Sequence, residues 1–200
     1  MTTLLLVAAG YLVGSMPFGY WVVRLLRGED IRTKGSGNIG TTNVWRQYGW
    51  RLGLPIMVLD VAKGFVPTIV GLVLVGELAG LLAGAAAMVG HWRPLFLRFE
   101  RGGKTVATAG GVVLAAAPLV GLTALAVWLV VFVAFRYASL ASMTSSLSMP
   151  IAAWLYGEPW PTVAFTAIAA VAVIVLHRPN IARLRRGEEH RFRRRRPVRA

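Results

Sequence analysis

Long apolar runs constrain this chain more than any other feature. They occupy 4–23, 52–75, 78–89 with an extension towards 97, 105–135, 139–156 and 161–176. A helix needs about 20 such residues to cross the hydrocarbon core of a bilayer. Only 15% of the residues are charged, where a soluble domain carries about 25%. The chain therefore reads as a polytopic membrane protein. The first run lacks a basic segment before it and has its positive charges after it, which predicts a retained span and not a cleaved signal. There is no cysteine, so disulfides and thiolate metal sites are excluded.

The net charge of +14 could suggest nucleic acid, but the cations collect in loops between runs and in the tail. Membrane topology accounts for that pattern better, and no nucleic-acid partner is expected. Residues 105–135 are too long for one span and, broken near Ala117-Pro118, short for two. Ten arginines from Arg178 onward decide between them, because a single span would put that tail outside. Two short spans make about seven in all, with every basic loop on the cytoplasmic side. Five spans with other mergers satisfy the same parity. The expectation is an all-α integral membrane protein of about seven helices, several of them short, with its amino terminus outside and its carboxyl terminus cytoplasmic. Residues 1–190 form one domain and 191–200 a basic tail that binds anionic lipid. Trp154, Tyr156 and Trp160 around Gly157-Glu158-Pro159 suit an interfacial aromatic belt.

Three polar clusters fall on the cytoplasmic side. The first is Lys34-Gly35-Ser36-Gly37-Asn38-Ile39-Gly40-Thr41-Thr42-Asn43, with Arg46 close behind. Glycines let successive N–H groups point into one concavity, and the hydroxyls, amides and cations add to an anion cradle. A plain glycine-rich connection is the competing reading. The second cluster is Arg98-Phe99-Glu100-Arg101-Gly102-Gly103-Lys104-Thr105-Val106-Ala107-Thr108, opening into an apolar helix. Helix starts favour phosphate, so Lys104 and the Gly102 and Gly103 amides are candidate phosphate contacts. Gly103-Lys104-Thr105 looks like the end of a Walker A loop, but the required earlier glycine is Arg98, which argues against nucleotide hydrolysis. The third cluster runs from His177 through Asn180 and Arg183 to Glu188, Glu189 and His190.

The three histidines have no zinc-like spacing, so no metal is expected. No aspartate follows any histidine after four residues, because those positions hold Phe96, Ala182 and Arg195. Ser36 lacks a nucleophile elbow, and anion hydrogen bonding suits it better than covalent catalysis. Asp60 and Lys63 meet at i, i+3 within their span, as a functional pair or a structural ion pair supporting the loops. Ser142, in a small-residue series on the sixth span, is a further candidate donor.

Together these residues resemble the bacterial acyl-phosphate-dependent glycerol-3-phosphate acyltransferase family. The likeness rests on 35–43, on Gly102-Gly103-Lys104 with Val106-Ala107-Thr108, and on His177-Arg178, Asn180-Ile181 and Gly187-Glu188. Leu59-Asp60, Lys63-Gly64 and Gly90-His91 add to it. The family usually has glycine at Thr105 and lysine at Arg101, and Thr105 leaves the local backbone shape open, since glycine reaches positive φ more easily. The resemblance implies acyl transfer from acyl phosphate to glycerol 3-phosphate at the inner membrane, without a cofactor, and with membrane lipids as neighbours. It implies Ser36, Arg46, Lys104, His177 and Asn180 as catalytic. Gly35, Gly37, Asn38, Thr41, Asn43, Gly102, Gly103, Thr108, Ser142 and Glu188 are expected around the substrates, with Asp60, Lys63 and His91 as support. An organophosphate or anion transporter is the alternative, although transport needs polar groups towards both sides.

Overall fold

The computed structural model describes residues 1–192, which are all helix, turn and loop. The first apolar run makes two helices, α1 (Thr2–Gly14) and α2 (Phe18–Arg27). Pro17 separates them, because it has no N–H to donate and pushes the residue before it out of helical geometry. A short helix, α3 (Thr41–Tyr48), precedes α4 (Trp50–Leu74) and α5 (Glu77–Trp92). The ambiguous run breaks at Ala117 into α6 (Val106–Ala116) and α7 (Pro118–Phe135). Pro118 sits in the first turn of α7, where its missing N–H costs nothing. Then come α8 (Ala138–Leu155), α9 (Trp160–Leu176) and α10 (Arg178–Arg185). Among the described residues, three helical stretches are long and apolar enough to cross a bilayer unaided: Thr2–Arg27, Trp50–Leu74 and Pro118–Phe135.

The bundle is apolar outside as well as inside. Leu25, Val73, Val130, Val133, Ile151 and Val171 are all largely exposed, as lipid-facing side chains should be. Without water to drive helices together, small residues let backbones approach. A Cβ on Gly14 of α1 would strike the backbone of Ala87 in α5, and one on Gly64 of α4 would strike that of Thr108 in α6. One core layer holds Leu81, Met88, Val112, Val113, Val120, Met149 and Ala153. A second, of Val23, Ile31, Ile39, Val44, Ile56 and Leu97, lies under the polar end and carries the loops there.

Candidate active site

The first cluster is folded by Asn43, buried at the start of α3. Its Nδ2 donates to the carbonyls of Lys34 at 3.0 Å and Asn38 at 2.9 Å, while its Oδ1 accepts from the Ser36 amide at 3.1 Å. Gly35 and Gly37 take φ of +55° and +69°, so Ser36 is carried on the exposed turn between two left-handed residues. The second cluster hangs from the end of α5. The Gly102 and Gly103 amides donate to the carbonyls of Trp92 and His91, each at 2.9 Å. A Cβ on Gly103 would enter the His91 ring, so only glycine fits. The third cluster forms where α9 and α10 meet at 57°. His177, at that corner, donates from Nδ1 to the Val173 carbonyl at 2.8 Å, since a carbonyl can only accept. Its Nε2 is left with the free lone pair.

The three clusters close on one another. Asn38 Nδ2 donates to the Gly102 carbonyl at 3.3 Å, joining the first to the second. Lys104 Nζ donates to Asn180 Oδ1, joining the second to the third. Arg46 donates to the His190 carbonyl at 2.7 Å, joining the first to the third, and its guanidinium lies 4.7 Å from the Phe192 ring. Beneath them Glu189 is buried, accepting from Asn180 at 2.7 Å, Ser139 at 2.8 Å and Arg183 at 2.7 Å.

The charge balance in this pocket is positive. Burial pushes the Lys104 ammonium down to about 8, with Arg183, Arg101 and Arg46 adding to the fall and Glu189 opposing it. Burial likewise lowers Arg46, against the pull of Glu189. Burial works against ionisation of Glu189, but its hydrogen bonds from Asn180, Ser139 and Arg183 outweigh that and hold it below the ordinary glutamate value. Lys104, Arg46 and Arg183 thus stand around one internal carboxylate, Glu189, an arrangement suited to an incoming phosphate. Beside it, a groove of about 620 Å³ runs between α5 and α9, from Thr105 and Leu176 at the polar pocket to Leu78 and Trp160 at the other end.

The glycerol-3-phosphate acyltransferase family model matches residues 4–187. The chain belongs to this family. An acyltransferase of that name from Desulforudis audaxviator is 45% identical over 192 residues, covering 96% of both chains. One from Aquifex aeolicus is 42% identical over 194 residues, covering 96% of this chain and all of that one. The crystal structure of PlsY (YgiH), an integral membrane glycerol 3-phosphate acyltransferase, in its glycerol 3-phosphate form superposes with a TM-score of 0.93 at 40% identity, covering 96% of each chain. Its lysophosphatidic acid form superposes with a TM-score of 0.90 at 38% identity, with the same coverage. The protein is an integral membrane acyltransferase of lipid biosynthesis.

Several residues expected around the substrates have partners within the fold of this acyltransferase. Asn43 uses its amide to shape the first loop, and Asn38 divides its own between the Gly40 amide and the Gly102 carbonyl. The Gly102 and Gly103 amides, expected at a phosphate, are committed to backbone carbonyls, so these glycines serve close packing. Thr108 is fully buried against Gly64 of α4. Ser142 accepts from the Trp128 indole at 3.2 Å, and Ser139, one turn nearer the polar end, reaches Glu189. Glu188 is exposed and pairs with Arg186 at 2.7 Å. The left-handed turn at Gly187, with φ of +71°, sends Glu189 inwards instead. Thr41 keeps a buried hydroxyl with no partner among the described residues.

Asp60 and Lys63 form a buried ion pair of 2.7 Å. Lys63 also donates to the Met16 carbonyl at the break in the first span, and His91 Nδ1 lies 3.8 Å from Asp60. Sequence reasoning placed Glu189 in the third cluster but did not single out Glu189, Ser139 or Arg32 as site residues. Arg32 grips Asp30 bidentately, Nε on Oδ1 and Nη2 on Oδ2, and reaches Glu100 of the second cluster. A carboxylate placed after a glycine turn and among arginines was the one available signal for Glu189. Arg191 and Phe192, the first residues of the expected tail, donate to the Phe135 and Arg136 carbonyls. The rest of the predicted tail lies outside the described residues.

Proposed function

We propose that the protein transfers a fatty acyl group from acyl phosphate to the sn-1 hydroxyl of glycerol 3-phosphate, releasing 1-acyl-glycerol 3-phosphate and inorganic phosphate. The observation that carries this reading is the gathering of Arg46, Lys104 and Asn180 in one cationic cluster, with Thr105, the residue after Lys104, lining the head of an apolar groove. A phosphorylated, acyl-bearing donor matches both halves. The acyl chain lies in the α5–α9 groove and the phosphates lie among the cations, with Ser36 and His177 at the pocket. The family relation favours this over transport.

The reaction proceeds in one step. The acceptor hydroxyl attacks the acyl carbonyl, a carbon–oxygen bond forms, and the bond from that carbon to the phosphate oxygen breaks. The departing phosphate takes the hydroxyl proton. An acyl phosphate is already activated, so the protein supplies orientation and charge stabilisation, chiefly from Lys104 and Arg46. The pocket faces the cytoplasm across the inner membrane, in a bundle of about seven membrane segments with the amino terminus outside.

The test is purified protein with glycerol 3-phosphate and, separately, acyl phosphate, acyl-CoA and acyl carrier protein donors, read by mass spectrometry of lipid and protein. Lysophosphatidic acid from acyl phosphate alone, with unmodified Ser36, is expected. Equal turnover of acyl-CoA overturns the donor, and an acyl-Ser36 intermediate overturns the single step.

A further inference from the structure

The groove between α5 and α9 has a head, an open middle and a foot where a polar clasp joins the two helices. Thr105 and Leu176 line the head beside Lys104, and Leu78 and Trp160, both largely exposed, flank the foot. There the buried Thr162 hydroxyl donates to Glu77 at 2.7 Å, clasping the starts of α5 and α9 together. Between these ends Ala164 and Ala172 on α9 and Ala85 on α5 line the groove. Their small side chains are what leave the space, since larger ones would fill it.

The dimensions match an acyl chain. The 17 residues of α9 rise about 25 Å. A zigzag of bonds about 1.5 Å long at near-tetrahedral angles advances about 1.25 Å per carbon, so a chain of about sixteen to eighteen carbons spans roughly 20–22 Å. An acyl group whose phosphate lies at Lys104 starts at Thr105, the next residue and the groove's head. Continuity with the polar pocket therefore favours the donor's own chain over bulk lipid as the occupant.

We propose that this groove gauges the length of the donor's acyl chain. The Glu77–Thr162 clasp, which ties the starts of the two helices together, forms the floor, and Ala172 and Ala164 keep successive depths open. The inference rests on the acyl-phosphate reading above. Measured along α9 from Leu176, Ala172 lies about 6 Å down and Ala164 about 18 Å down, or roughly five and fourteen carbons. Each methylene denied burial costs about fourfold in binding.

The experiment measures kcat/KM of the purified enzyme for saturated acyl phosphates from about six to about eighteen carbons. Ala164→Phe, at a half-exposed position that tolerates bulk, is expected to lower the eighteen-carbon value relative to the fourteen-carbon value by at least about tenfold. Ala172→Phe is expected to move the cut-off to about six carbons or fewer. Val171→Phe, on the exposed side of α9, leaves the profile unchanged. An unchanged profile in both alanine variants overturns the gauge and assigns the groove to bulk lipid. Wild-type enzyme that turns over no acyl phosphate of any length overturns the donor reading and the gauge with it, a result distinct from an unchanged profile.

Discussion

Thr105 stands where the backbone asks for glycine, and Thr105→Gly is expected to relieve it. Threonine is ordinarily a good N-cap, with an extended backbone and its hydroxyl turned onto the first helical amides. Here it opens α6 at φ +63°, ψ 0°, and its side chain makes no cap bond. A β-branched residue in that region is strained by about 1–2 kcal/mol. Its hydroxyl is also buried without a partner among the described residues, which costs about 1 kcal/mol more. Glycine removes both penalties, at the loss of about 1 kcal/mol of apolar burial and somewhat under 1 kcal/mol in chain flexibility. The net gain is about 0.5–1 kcal/mol. Thr105→Ala separates the causes, because it removes the hydroxyl but keeps the strained Cβ. Thermal unfolding of the three proteins in one detergent should put glycine about 1–4 °C above alanine, because the strain relieved less the added flexibility leaves about 0.5–1 kcal/mol, at about 2–4 °C per kcal/mol for a chain of this size. A glycine variant that melts with or below the alanine variant would falsify the claim of backbone strain.

Lys104 sets a pH limit. Its ammonium titrates near 8 in the folded protein, below its ordinary 10.5, so the unfolded chain binds that proton more tightly. Folding therefore carries the cost of the buried charge in full below about pH 8 and loses it progressively from there to about 10.5, over which stability rises. Substrate phosphate needs the charged form, so KM for glycerol 3-phosphate should climb as pH passes 8. Lys104→Arg should remove that break, and a break unmoved in this variant would reject Lys104 as its source. Gly103→Ala places a methyl in the His91 ring, and relief by moving the loop displaces Lys104. Turnover should drop at least about tenfold with a stability loss of about 1–3 kcal/mol. Wild-type kinetics in that variant would show the contact to be slack. Glu189→Gln should cost about 2 kcal/mol in unfolding measurements, because Arg183 loses a charged acceptor, and should weaken turnover by disturbing the Asn180–Lys104 bond. Unchanged stability and turnover would deny Glu189 its supporting role.

The membrane class, the break at Ala117, the run boundaries and the three polar clusters are local properties. Apolar length, a proline, and glycines beside cations fix them without reference to anything distant. Lys104, Arg46 and Asn180 were legible on that basis because charge and amide residues stand out against an apolar background. What each polar atom touches depends on partners far along the chain. Asn38 meets Gly102, Lys104 meets Asn180 and Arg46 meets His190 only once the helices pack. The same packing turns Glu189 inward and Glu188 out, chooses Ser139 over Ser142, and seals Thr108 against α4. It also consumes the Gly102 and Gly103 amides and turns those glycines into the room that His91 requires. The sequence by itself determined that the chain lies in a membrane and which polar residues stand out as candidates for its chemistry. Only the tertiary structure decided which of them face the pocket, because a hydrogen bond is satisfied by whatever the fold brings within about 3 Å, and sequence spacing does not measure that distance.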